Sequence, residues 1–559
     1  MDRTIQSRLY HLADTQPDCK ALGFYASDRT CEWVTYGQLM ARAQTLAGSM
    51  TEVGLEKGQV AVLVQYNDRF GVEALLGALV AGAIPVMVAP PVIQGTNSSL
   101  GDILDDVVRR TEAPIVIAAG GLSAMQRDLD AAHPGVKFVF GENDLPDSDP
   151  VERHHPTEDD YAVFQLTSGT TGFPRICMWE QGRVIAALEG MAAAMGISPE
   201  DTYVNWTPLY HDMGLMNNLM LCLTLGIPLV MMSPFDFVKR PALWLQAIAD
   251  TGATITWSPN FGYALAADRI REEELEGVDL AGVRGFWNAA ERIHVETIHR
   301  FRDRFIEYGL QPSALKTNFG CAENVGGATF TDSNQVPVEY LDPIALHERL
   351  EAVPAATRDG AMAVVGCGKP HAGIRIHILG ESGEFLGDGL IGELALESVS
   401  AMSGYLGDEA ATSAAFVGSY LKTGDLGYTR DGEFFWSGRS RERITVRGRK
   451  VDPSEFESVL LTVPRLRAGS FAAFGIDDSS TGTQKLVIVG ETRDESPDTA
   501  DEVRRAVRRV VFERLGLGVD QVVLVKSGTL AKTSSGKRRH QHFRELYERG
   551  DLKSFEVGV

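Results

Sequence analysis

Five short apolar runs recur along the first half of the chain: "VAVLVQ" (60–65), "IPVMVA" (84–89), "APIVIAA" (113–119), "IPLVMM" (227–232) and "ATITWS" (253–258). Between them lie stretches with helical spacing, such as "LMARAQTLAGSMTEVG" and "PALWLQAIADTG". Strands that alternate with helices call for parallel sheets built from βαβ units, and near-continuous apolar runs call for strands covered on both faces. The apolar stretch Ala74 to Val92 has the length of a membrane span. Gly77, Gly82, Pro85 and the Pro90-Pro91 pair break it, so it reads as a buried helix followed by a buried strand. No membrane association is expected.

The texture changes twice. After about Gly360 the chain turns to hairpin-like strands, "RIHILGESGEFLGDG" and then "GYTRDGEFFWSGR", with Asp431-Gly432 as a hairpin turn. Beyond "GRSRER", the strand-like "SFAAFGI" and "QKLVIVGET" mix with the amphipathic "TADEVRRAVRRVVFERL". At 559 residues the chain exceeds one core. We therefore place a boundary near Arg441, with residues 1–440 as a large N-terminal domain and 441–559 as a small α+β C-terminal domain. Acidic residues outnumber basic ones, 75 to 53, a net charge of −22 that argues against a nucleic-acid partner. The six cysteines are scattered with no paired spacing, and the N-terminus has no apolar signal segment, so reduced thiols and a cytoplasmic location are expected.

The chemistry is concentrated in five stretches. "LTSGTTGFPR" (166–175) follows the strand-like "YAVFQL" and crowds hydroxyls and glycines into a loop, the composition that offers backbone N–H groups and hydroxyls to phosphate. "PLYHDMGL" (208–215), "FGCAEN" (319–324), "YLKTGDLGYTRDGEFFWSGR" (420–439) and "LAKTSSGKRRH" (530–540) follow. Taken singly, each reads as a turn or a solvent-facing loop. Together and in this order they resemble the adenylate-forming (ANL) enzymes: acyl-CoA synthetases, peptide-synthetase adenylation domains and luciferases. The likeness runs from about Thr35 to His540. It implies a large N-terminal domain of βαβ sheets with a small β-barrel-like subdomain, and a small mobile C-terminal domain. The implied chemistry is attack of a carboxylate on the α-phosphorus of ATP.

Two anions meet in that step, so the site has to neutralise charge. The resemblance implies a phosphate loop at Thr167, Ser168, Gly169, Thr170, Thr171 and Gly172. Arg175 stands where the family often has lysine, and the two cations differ in geometry. Glu323 matches the residue that holds Mg²⁺, a hard cation suited to oxygen ligands. Phe319 matches the aromatic against adenine; Ala290, Glu291, Asn318 and Gly320 are carried into the nucleotide set beside it. Asp425 matches the carboxylate for the ribose hydroxyls, and Arg439, fourteen residues on, an arginine for ribose or phosphate. Lys537, Thr167 and His211 form the implied catalytic set: Lys537 as the lysine bridging carboxylate and α-phosphate, His211 as a gate beside the carboxylate. Glu442 falls at the hinge.

Within this family the nearest likeness is to fatty acyl-AMP ligases. "WTPLYHDMGL", the block from Met231 to Arg269 and "FWNAAERI" resemble that branch, and about thirty residues near 330–361 match its insertion. The branch implies transfer of the acyl group to the phosphopantetheine thiol of an acyl carrier protein; an acyl-CoA ligase and a non-catalytic adenylate-binding homologue stay open. The implied acyl pocket contains Trp206, Met213, Trp257, Asn260 and Trp287. Trp257 and Trp287 replace smaller residues, so they either shorten the channel toward a compact acid or turn away into the core.

Overall fold

The computed structural model describes residues 3–90, 98–167, 174–440, 442–446, 449–453, 455–478, 483–493, 496–530 and 538–552. Val60–Val64 and Ile84–Val88 are buried along their full length and pair in parallel, as strands covered on both faces do. They lie in a sheet ordered Gly404–Tyr405, Ile176–Glu180, Tyr161–Leu166, Ile84–Val88, Val60–Val64, Ile115–Ala118, Lys137–Phe140. The apolar stretch from Ala74 divides as expected. The helix Arg69–Val80 begins where the Asp68 carboxylate accepts the Gly71 N–H at 2.8 Å, and the strand Ile84–Val88 follows. Among the described residues no helix is long and apolar enough to cross a membrane.

The larger sheet runs Lys369–Pro370, Gly326–Phe330, Leu315–Cys321, Gly285–Ala289, Ile255–Pro259, Tyr203–Asn205, Leu229–Met231, Lys20–Tyr25, Cys31–Thr35. Its four central links, from Leu315–Cys321 to Leu229–Met231, are parallel. Parallel strands put all their carboxyl ends at one edge, where α/β sheets bind ligands.

A third sheet pairs Ile374–Leu379, Gly392–Ser398, Tyr420–Arg430 and Phe416–Val417, and Glu433–Arg439 folds back on Tyr420–Arg430. Asp431 and Gly432 both take positive φ, 54° and 78°, the double left-handed turn that an Asp-Gly hairpin uses. The other expected hairpin differs. Ile374–Leu379 pairs with Gly392–Ser398 along six positions, and the nearby "GEF" only turns back on its end, through a Leu379–Phe385 bridge, a Gly380 N–H bond to the Glu384 carbonyl at 2.8 Å and the Phe385 ring stacked on His377. Val338–Leu341, within the expected insertion, pairs antiparallel with Met362–Val365 just past it, and Leu341 and Leu346 join a small core with Val364, Tyr428 and Phe435.

Past residue 441, Leu466–Asp478, Thr483–Thr492 and Gln521–Lys526 form a sheet with a core on each face. Val503, Val507 and Val511, at helical spacing on Pro497–Leu515, fill one; Phe543 of His540–Arg549 fills the other.

Candidate active site

A cleft opens at the carboxyl ends of Gly285–Ala289 and Leu315–Cys321. Ala290, Glu291, Asn318, Phe319 and Gly320 line it from those strands, while Asp425, Trp436 and Arg439 line it from the hairpin. Ala290 ends its strand with φ 71°, a left-handed conformation that costs a non-glycine residue about 1–2 kcal/mol. Glu291, next along, turns its carboxylate onto the Phe261 N–H at 2.6 Å, at the positive end of the helix Asn260–Arg269. The Phe319 ring packs edge-on against Phe434, 5.3 Å between centroids.

Asp425 and Arg439 are direct cross-strand partners. Arg439 Nε donates to Asp425 Oδ1 at 3.2 Å, and the Trp436 indole N–H donates to the same oxygen at 2.9 Å. Both bonds fall on one oxygen of a buried carboxylate, which leaves Oδ2 for a ligand hydroxyl. The Arg439 N–H is held by Asp452 Oδ2 at 3.0 Å. Any Cβ on Gly438 would overlap Asp452, so only glycine lets the "SGR" corner approach this closely.

The cleft's other wall comes from beyond residue 441: Glu442, Asp452, Arg538 and His540. Arg538 lays its guanidinium over the Phe471 ring at 4.6 Å, and His540 Nδ1 lies 3.1 Å from the Ala473 N–H. Lys537 lies outside the described residues, as do Ser168, Gly169, Thr170, Thr171 and Gly172; Arg538, its neighbour, faces the cleft. Arg538, His540, Trp436 and Asp452 were not foreseen. "KRRH" reads as an ordinary basic surface run, and the Trp436 contact depends on a bulge between Leu426 and Gly427 that no spacing announces.

Thr167 closes a two-bond bridge with Arg175: its N–H donates to the Arg175 carbonyl at 2.8 Å, and its hydroxyl accepts the Arg175 N–H at 3.0 Å. The Arg175 guanidinium sits 5.1 Å above the Tyr405 ring. Tyr405 in turn donates its hydroxyl to Glu323 Oε1 at 2.9 Å. Burial pushes the Glu323 carboxyl above its usual range, while the Tyr405 hydroxyl opposes that shift. His211 Nδ1 lies 2.6 Å from Asp212 Oδ1, and the Met213 N–H points at both.

Strand register decides where the two indoles point. Trp257 stands beside Trp287, Trp287 beside Lys316, and Asn318 beside Phe330. Side chains alternate across a sheet, so Trp257, Trp287, Asn318 and Phe330 leave on one face. The indoles stack at 5.7 Å, and the Phe330 ring meets both edge-on. This is the face of Asn318, which lines the cleft. The opposite face carries Phe286 into a cluster with Trp244, Tyr263 and Phe301. Trp206 and Asn260 do not join the indole pair. Trp206 stacks on Phe237 and meets Trp244 and Phe261, while the Asn260 amide oxygen accepts from Asn288 and the His294 N–H. Met213 is buried at the start of the π-helical stretch Met213–Met220.

The sequence matches the family of AMP-binding enzymes over residues 9–406, and the chain belongs to that family. Its relatives include Mycobacterium tuberculosis fadD25, named a putative fatty-acid–CoA ligase, 30% identical with all of both chains covered. Mycobacterium bovis FadD26, named a long-chain-fatty-acid–AMP ligase, is also 30% identical, over 100% of this chain and 99% of its own. A solved structure from work on fatty acyl-adenylate ligases of E. coli and L. pneumophila superposes with a TM-score of 0.91 at 26% identity, covering 98% of each chain. The fold is that of the adenylate-forming enzymes, with fatty acyl-AMP ligases among the relatives.

Proposed function

We propose that this chain activates a hydrophobic carboxylic acid with ATP as an acyl-adenylate and then passes the acyl group to the phosphopantetheine thiol of an acyl carrier protein. A carboxylate oxygen attacks the α-phosphorus, the bond from that phosphorus to the bridging oxygen breaks, and pyrophosphate leaves with the electron pair. The observation that carries this reading is the single cleft into which Asn318, Phe319, Asp425, Arg439, Arg538 and His540 converge from distant parts of the chain. Asp425 offers a carboxylate oxygen to the ribose hydroxyls, Phe319 and Gly320 flank the base, and the cations offset charge on the phosphates. Lys537 reaches the reacting carboxylate and the α-phosphate, with Thr167 anchoring the loop Ser168–Gly172 that meets the pyrophosphate end. His211 gates the carboxylate side.

Glu323 fits a Mg²⁺ ion in chemistry: Tyr405 occupies one carboxylate oxygen, and the other suits a hard cation that also ligates phosphate. Bound there, the ion would offset phosphate charge.

The insertion supports a carrier protein over CoA. It is built into the nucleotide subdomain: Glu339 accepts from the Tyr428 hydroxyl at 2.8 Å and pairs with Arg430 at 2.6 Å, and its strand Val338–Leu341 pairs with Met362–Val365, the strand just past the insertion whose Val364 and Val365 reach the cleft. Residues 441–559 act as a separate domain pivoting at Glu442, in a cytoplasmic enzyme. The test is acid- and ATP-dependent pyrophosphate release, followed by offering the acyl-adenylate to holo-carrier protein or to CoA. Acyl-carrier product with little acyl-CoA is expected. Acyl-CoA as the main product overturns the acceptor assignment, and no acid-dependent release overturns adenylation.

A further inference from the structure

The sheet face that carries the indole pair also holds polar atoms left unpaired by the described residues. Trp257 Nε1, Asn217 Oδ1 and Asn318 Oδ1 are enclosed and have no hydrogen-bond partner among the described residues. Their residues are 0%, 4% and 3% exposed, so solvent does not serve them. Asn318 and Trp257 share a face by strand register. Asn217 comes from the π-helical stretch that packs on the neighbouring strand Gly326–Phe330: a Cβ on Gly326 would collide with its amide oxygen. A Cβ on Gly327 would strike the Phe330 ring, which itself packs on both indoles. The amide and the indoles therefore converge on one stretch of strand. Buried polar groups left unpaired cost free energy, and a ligand that pairs them recovers it.

The same geometry limits length. Trp287 lies three residues before Ala290 at the cleft's rim, a depth of roughly 10 Å at strand rise. A straight alkyl chain entering along this face meets the stacked indoles at that depth, and it leaves all three polar atoms unpaired.

We infer that the acid activated here is compact and carries its own polar group, an aromatic or short-chain acid bearing a hydroxyl or amino substituent. The indole pair supplies a flat wall for it. An amino substituent donates its two hydrogens to the Asn217 and Asn318 oxygens, whereas a hydroxyl donates its one hydrogen to one of them and accepts the Trp257 N–H on a lone pair. This rests on the adenylation reading above and narrows its substrate.

The experiment measures pyrophosphate release with palmitate, dodecanoate, octanoate, 3-hydroxyoctanoate, benzoate, and the hydroxy- and aminobenzoates. The best substituted acid should exceed its unsubstituted parent by about 10-fold or more in kcat/KM, and palmitate by about 100-fold or more. Asn217→Leu and Trp257→Phe should each bring the substituted-to-parent ratio toward one. The Phe variant keeps a ring and loses only the N–H, so it covers the case in which the Leu variant fails to fold. Palmitate as the best substrate, no advantage for the substituted acids, or an unchanged ratio in a folded variant each overturn the inference while adenylation stands. Release with none of the acids, from protein that still binds AMP, overturns the adenylation reading and this inference with it.

Discussion

Asp425 receives two donors on one oxygen, the Arg439 guanidinium from directly across the hairpin and the Trp436 indole three residues before it. That leaves the second carboxylate oxygen to a ligand while the first is fixed in place. Asp425→Asn keeps a carbonyl oxygen for the two donors but removes the charge and an acceptor from the ligand side. AMP affinity should fall about 10-fold, the difference made by one charge-assisted hydrogen bond, with the melting temperature little changed. Asp425→Ala should also lose about 1–3 kcal/mol of stability, because the Trp436 N–H is then left unpaired. Calorimetric titration with AMP checks both variants. Undiminished affinity in the Asn variant would remove Asp425 from the nucleotide site.

The Tyr405 hydroxyl holds down the proton affinity of Glu323 against the effect of burial. Tyr405→Phe removes that bond, so the carboxyl should titrate still higher and be less ionised at any given pH. Activity that needs the carboxylate is lost as pH falls through this value. Its acid limb should therefore move to higher pH in the variant, with full recovery on the alkaline side. The apparent requirement for Mg²⁺ should rise severalfold near neutral pH and converge with wild type at higher pH. Tyr405 pairs through its backbone with Cys177, so the fold should survive. Superimposable pH profiles would show that Tyr405 does not position Glu323.

How far the sequence reads the fold depends on how local the cause is. Val60–Val64 and Ile84–Val88 are apolar throughout, and the Asp431-Gly432 turn carries its own signature, so each forms where expected. The Asp425 and Arg439 pair follows only in part from that turn: a two-residue hairpin pairs residues an odd number apart, and the register shift between Leu426 and Gly427 is what brings residues fourteen apart face to face. Arg538 and His540 lack such a cause. They reach the cleft because Phe471 and Ala473, far earlier in the chain, hold them. Trp257 and Trp287 were legible as bulky replacements, but their direction hangs on pleat and register. The same register separates them from Trp206 and Asn260, which motif likeness had grouped with them.

Lys537 immediately precedes Arg538, whose side chain lines the cleft beside Arg439. An ammonium delivered there would act on charge that develops only as the carboxylate meets the α-phosphorus. Lys537→Ala should therefore cut acid-dependent pyrophosphate release by about 100-fold or more, with AMP binding and melting temperature nearly unchanged. Near wild-type release would end the assignment of Lys537 as the catalytic lysine.

Glu442 stands between the cleft's two walls in sequence: Asp425, Trp436 and Arg439 precede it, and Asp452, Arg538 and His540 follow. A rotation at this position would carry the second wall away from the first and open a path for an acceptor thiol to the acyl carbonyl. The Glu442 N–H donates to the Arg439 carbonyl at 3.3 Å. Glu442→Pro removes that N–H and fixes φ near −65°. One lost hydrogen bond costs about 0.5–1.5 kcal/mol, too little to unfold the chain. The backbone restriction is the larger effect, and it acts on rotation rather than on the assembled cleft. Pyrophosphate release without an acceptor should stay within a few-fold of wild type, while transfer from preformed acyl-adenylate to the carrier thiol should fall by about 10-fold or more. Measuring the two half-reactions separately decides the matter, because a residue that served only to hold the cleft together would lower both alike.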